Sequence, residues 1–157
     1  MGGKKNSFGF QSYREGAIER VGDASMLLRA GQFAGAIYLA GRAVESMLRG
    51  LIWRHDADIR RGTKSLETGH DLRERVTLVR GLGLIAPGPD ADQLEGRVER
   101  VARLWYNNMR FASSKHVAGR WYQLGEIRKG RTFKQAATLY FNDCSSIVKR
   151  CEALCAK

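Results

Sequence analysis

With 157 residues, the chain has the length of one domain and enough material to bury a core without disulfide or metal staples. Apolar residues make up 43% of it, which excludes global disorder, and no run approaches the ~20 apolar residues needed to cross a bilayer. The 27 Lys and Arg outnumber the 16 Asp and Glu, and the resulting net charge of +11 favours a polyanionic partner: RNA, DNA or an acidic protein.

The N-terminus, MGGKKNSFGF, lacks the apolar core and cleavage site of a signal peptide. Asn6 stands where a myristoylation pattern wants Ser or Thr. A cytoplasmic protein without a membrane partner is expected. From Gln11 to Leu28, apolar Tyr13, Ala17, Val21, Ala24 and Leu28 recur at steps of four and three, predicting a helix. After a short break at Arg29-Ala30-Gly31, a long amphipathic helix runs from Gln32 to about His55. Its stripe is Phe33, Ile37, Ala40, Val44, Met47 and Leu51. The short turn makes the pair an antiparallel hairpin.

Residues 56–69, DADIRRGTKSLETG, are polar and read as a loop. His70 to Leu82 forms a shorter helix with Leu72, Val76 and Val79 inward, ended by Gly81 and Gly83. His70 and Asp71 read as capping residues. Both prolines lie in Ala86-Pro87-Gly88-Pro89. Asp90 or Asp92 then caps a helix reaching Met109, with Leu94, Val98, Val101 and Trp105 inward. Asn107 and Asn108 read as its terminator.

Residues 110–131 resist the helical pattern. They contain Gly119, Gly125 and Gly130, and from Arg110 to Lys134 seven cations face one acid, Glu126. Long loops in compact domains are often functional. Thr132 caps a last helix, where Phe133, Ala137, Tyr140, Cys144, Ile147, Cys151 and Leu154 alternate at steps of four and three. The three cysteines, Cys144, Cys151 and Cys155, share one face and read as small reduced core residues. The expected fold is all-α: a single domain over 1–157, an up-and-down bundle of about five helices with a basic irregular segment at about 110–131.

Three segments carry a resemblance. AGQFAGAIYLAGRAVESMLRGLI resembles the second helix of HEPN domains, TGHDLRERVTLVRGLGL resembles their third, and LWYNNMRF resembles their Trp-x-x-x-x-Arg-aromatic segment. The likeness covers roughly residues 10–155. It implies an up-and-down helical bundle, commonly a homodimer. Members of the family include metal-independent RNases of toxin–antitoxin and antiphage defence systems. Others are non-catalytic modules that bind nucleic acid or partner a nucleotidyltransferase. Catalytic members carry Arg-x(4–6)-His, and Arg110-Phe-Ala-Ser-Ser-Lys-His116 falls in that range. Phe111 stands where many active members have Asn, Asp or His, and Trp105 with Arg110-Phe111 also fits branches lacking the histidine.

The chemistry such a pair offers is specific. RNA cleaves itself when its 2′-hydroxyl loses a proton and attacks the adjacent phosphorus, a reaction that needs no metal or other cofactor. His116 can take or give a proton near neutrality. Arg110 offers a planar cationic fork to phosphoryl oxygens. Glu45, at the edge of the second stripe, is expected to orient Arg110. One histidine is thin for two proton transfers, so a site paired across a dimer axis would help.

Binding without chemistry stays open beside this reading. Rings alternate with cations: Ser113, Ser114, Lys115, Arg120, Trp121, Tyr122, Arg128, Lys129 and Arg131 are candidate contacts to nucleic acid. Trp121 and Tyr122 read as stacking platforms, whereas Trp105 and Phe111 read as core anchors. His116 as a solvated residue and Arg110 as a purely structural partner of Glu45 are the bland alternatives. An antitoxin or a nucleotidyltransferase is a possible protein partner.

Overall fold

A computed structural model describes residues 9–66 and 70–156. The N-terminal residues 1–8 and the end of the polar 56–69 segment lie outside the described residues. Among the described residues the chain is all-helical, with seven α-helices, a 3-10 turn and no strand. No helix among them is long and apolar enough to cross a membrane.

α1 (Phe10–Arg29) and α2 (Phe33–His55) form the antiparallel hairpin that the two stripes predicted. Gly31, at φ 75°, supplies the left-handed residue of the turn between them. α2 is the centre of the bundle. It buries Ile37, Ala40, Val44, Met47 and Leu51, but also Ala36, Gly41, Ala43, Leu48 and Ile52, far more than one stripe. A helix buried on most sides needs neighbours on most sides. α1 and α7 (Phe133–Cys155) pack along it, α4 (Leu72–Gly81) packs against it, and α5 (Pro89–Leu104) closes the bundle by packing on α4 and α7.

Two glycines inside α2 mark close approaches rather than breaks. A Cβ on Gly50 would stand 3.0 Å from the Tyr13 Cβ of α1. A Cβ on Gly41 would stand 2.2 Å from Cδ1 of Trp105, so the indole lies directly on the helix backbone. Trp105 Nε1 donates to Tyr38 O at 3.2 Å, and its ring stacks near Tyr38 at 6.4 Å. The core-anchor reading of Trp105 therefore holds.

Several boundaries need correction. The polar segment contains a four-residue helix, α3 (Ala57–Arg60), because Asp56 caps the amides of Asp58 and Ile59 and Ile59 turns inward. α4 starts at Leu72, not His70: Asp71 alone is its N-cap, accepting from Arg73 N. α5 starts with Pro89 at its first position behind Gly88, so Asp90 and Asp92 sit in its first turn and do not cap it. It also ends at Leu104, five residues early. Trp105 turns extended to reach Gly41, and Asn107 and Asn108 belong to the 3-10 turn Asn107–Phe111. The largest correction is the basic segment, which contains α6 (Ser114–Gln123).

The cysteines lie buried and free on α7. Burial pushes the Cys151 thiol up to about 12 and Cys144 higher still, as befits inert core residues. Ion pairs join the outer helices: Arg73–Glu99 (2.9 Å) and Arg80–Glu95 (2.8 Å) link α4 to α5, and Arg100–Asp143 (2.8 Å) links α5 to α7.

Candidate nucleic-acid interface

The local sequence explains how the 107–131 stretch presents its cations. Met109, buried, anchors the 3-10 turn in the core, so its neighbours Arg110 and Phe111 project outward. Phe111 is 77% exposed, which overturns its reading as a core anchor. The Arg110 guanidinium lies 4.6 Å from the centre of the Phe111 ring.

Ser113 then caps α6, its Oγ accepting from His116 N at 3.2 Å. Val117 and Trp121, four residues apart, point into the core. That spacing leaves Lys115, His116, Gly119, Arg120 and Gln123 on the outer face, exposed. With Ser113 they line a groove of about 480 Å³. Ser114 is exposed at the first helical position. The Arg120 guanidinium sits 4.9 Å from the centre of the Tyr106 ring, tying α6 back to the segment that leads into the 3-10 turn.

Trp121 is not a stacking platform. It is fully buried, donates to Leu104 O at 3.4 Å, and meets Tyr140 and Phe133 ring to ring at 5.3 and 5.9 Å. Its neighbour Tyr122 is 68% exposed and remains available for stacking. Beyond α6, Gly125 (φ 79°) closes the helix, and a tight turn joins Arg128 and Arg131 by reciprocal backbone hydrogen bonds. Lys129 sits exposed at its tip. Arg131 lies 3.8 Å from Glu126, and Arg103 also pairs with Glu126.

The single carboxylate of this segment, Glu126, is thus taken by Arg103 and Arg131. Among the described residues, no carboxylate pairs with Arg110, Lys115, Arg120, Arg128 or Lys129. No hydrogen bond or ion pair links Arg110 to His116 either.

Glu45 does not orient Arg110. Its carboxylate, 1% exposed, accepts from Arg42 Nη1 at 2.7 Å and from Arg49 Nε and Nη2 at 3.2 and 3.0 Å. His70 Nδ1 lies 2.8 Å from Glu45 Oε1, and the buried Arg75 guanidinium is 3.9 Å away. Burial pulls the Arg75 pKa below its ordinary value, and the Glu45 charge works against that. One carboxylate therefore serves four cationic or potentially cationic groups from α2 and from the segment opening α4. Arg42 at i−3 and Arg49 at i+4 were the readable signal, because a Glu inside a buried stripe takes its nearest helical neighbours first.

His70 takes a place that its reading as a capping residue does not give it. It is not a cap. Its ring is half exposed beside a cleft of about 350 Å³ that is also lined by Asp71, Arg73, Trp105, Tyr106 and Asn107. His55, expected at a helix end, does close α2; its Nε2 is buried without a hydrogen-bond partner.

The chain matches no family model, no curated protein and no solved structure.

Proposed function

We propose that this chain binds single-stranded RNA across the 3-10 turn and the outer face of α6. The observation that carries the reading is the contrast in pairing. Among the described residues, cations on the rest of the bundle largely meet carboxylates, whereas Arg110 and Arg120 meet rings and Lys115 stands exposed with no carboxylate. Such cations suit phosphates, and the exposed Phe111 and Tyr122 rings suit unstacked bases. Phosphate contacts release counterions, so affinity falls steeply with salt. Fluorescence anisotropy with a labelled single-stranded RNA tests this. Wild type should bind and weaken as salt rises, while K115E/R120E should bind at least about tenfold more weakly. Equal affinity of wild type and variant would sink the reading.

The second reading is cleavage of that RNA without metal, with Arg110 neutralising the phosphoryl oxygens and His116 moving a proton. The HEPN resemblance suggests it. Both side chains are exposed and, among the described residues, neither is engaged by a carboxylate, which favours it. Toxin or antiphage function, a homodimer, and an antitoxin or nucleotidyltransferase partner belong to the same resemblance. Light scattering tests the dimer. RNA cleavage in EDTA, with R110A and H116A beside wild type, tests the chemistry.

A further inference from the structure

His70 and Glu45 form a dyad of a kind the proposed RNA face does not itself contain. Glu45 is a buried acceptor, held in place by Arg42 and Arg49. A carboxylate only accepts, so His70 Nδ1 carries the hydrogen of the 2.8 Å contact. In the neutral ring that leaves the lone pair on Nε2, at the far side of the imidazole from Glu45. The ring itself is 44% exposed, so the bond to Glu45 does not bury it.

The cleft beside His70 reaches the RNA face. Tyr106 lines it, and the same Tyr106 ring lies under the Arg120 guanidinium. Asn107, next in the cleft wall, opens the 3-10 turn that carries Arg110 and Phe111. A strand held by Arg120 and stacked along this wall would bring one nucleotide, which is the scale of the cleft, against His70.

We infer that His70, fixed by Glu45, is a proton-transfer residue for a single-stranded RNA whose nucleotide seats in the His70–Tyr106–Asn107 cleft. This rests on the RNA reading above and deepens it. Nε2 accepts the proton of the 2′-hydroxyl. The 2′-oxygen bonds to phosphorus as the bond from phosphorus to the 5′-oxygen breaks. The 5′-oxygen takes a proton from water, and the imidazolium returns its proton to the hydroxide left behind. The products are a 2′,3′-cyclic phosphate and a 5′-hydroxyl end. Glu45 is a positioning residue: it sets the tautomer and the ring plane.

The test uses the purified chain in EDTA on a labelled single-stranded RNA, with binding measured separately on a 2′-O-methyl strand that cannot self-cleave. Wild type is expected to bind the methylated strand and to cleave the RNA. H70A and H70Q should cleave about 100-fold or more slowly, a loss in kcat that exceeds any change in their affinity for the methylated strand. Added imidazole should restore cleavage to H70A, where it can enter the vacated space, and not to H70Q. E45Q should lower kcat while leaving KM in place. Cleavage by H70A at the wild-type rate overturns the inference, as does a loss that imidazole fails to restore in H70A. So does a wild type that binds the methylated strand but cleaves nothing, and RNA binding then stands without chemistry. A wild type that binds neither strand removes the RNA reading, and this one with it.

Discussion

Two clusters of positive charge in this molecule are built in opposite ways. Around Glu45, three guanidiniums and an imidazole converge on one buried carboxylate. Around α6, Arg110, Lys115 and Arg120 stand on the surface with aromatic rings and no carboxylate among the described residues. In the first cluster, Glu45, Arg49 and Arg75 are withdrawn from water and lean on one another, so that buried part belongs to folding, while Arg42 and the His70 ring stay partly exposed. In the second, water already satisfies the charges, so folding neither needs nor fixes them. A charged cluster that stability does not require is where a ligand's charge can be met at little structural cost.

The sharpest way to break this contrast is to remove Glu45. Glu45→Ala removes the carboxylate that the fully buried Arg75 and the largely buried Arg49 share. A loss of about 3–5 kcal/mol in urea unfolding is expected. A loss below about 1 kcal/mol would show that water replaces the carboxylate, and the two clusters would then differ in place but not in kind.

Next in size is a packing test of the wall between the clusters. Gly41→Ala puts a methyl group 2.2 Å from the Trp105 ring. The indole must withdraw, taking with it the segment that leads to Tyr106 and the 3-10 turn. About 1–3 kcal/mol should be lost, and RNA affinity should fall too, because the turn presenting Arg110 and Phe111 shifts. Lost stability with intact RNA affinity would mean that the face tolerates movement of its support.

On the α6 side the pattern should invert. Arg120→Ala should change stability by less than about 0.5 kcal/mol, yet flatten the dependence of log affinity on log salt by roughly 0.7, the share of one phosphate contact on a single strand. A stability loss above that with an unchanged salt slope would make Arg120 a structural partner of Tyr106 and remove it from the face.

These two clusters were unequally legible in the sequence. The stripes of α1, α2 and α7 were readable because their apolar residues repeat over several turns, and burial enforces that repeat. α6 was missed for a physical reason. It is ten residues long, only Val117 and Trp121 are buried, and Gly119 and five polar or charged positions dilute the period. Trp121 and Tyr122 show the cost. Adjacent in sequence, they took opposite roles as soon as the segment became a helix, one buried and the other exposed. The pairing of Glu45 was missed because its strongest partners are local, at i−3 and i+4, whereas the expected partner was distant. His70 could not be read at all from spacing, because its meeting with Glu45 spans 25 residues and depends on where α4 begins.

The smallest expected effect separates the two ends of α2. His55 closes that helix, where the axial dipole favours an imidazolium. Burial nevertheless lowers its pKa below 6.5, with Arg54 and Arg60 pushing the same way. A buried Nε2 without a partner cannot regain by hydrogen bonding what it loses in hydration. The unfolded chain therefore binds a proton near pH 6.5 that the folded chain takes up only at lower pH. Stability is lost as pH falls through the unfolded value toward the folded one, and the loss stops below the latter. His55→Gln removes this contribution and leaves the other two histidines in place. Between about pH 7.5 and about pH 5.5, wild type should lose more stability than the variant. Parallel losses would mean that the dipole and solvent outweigh burial at this helix end.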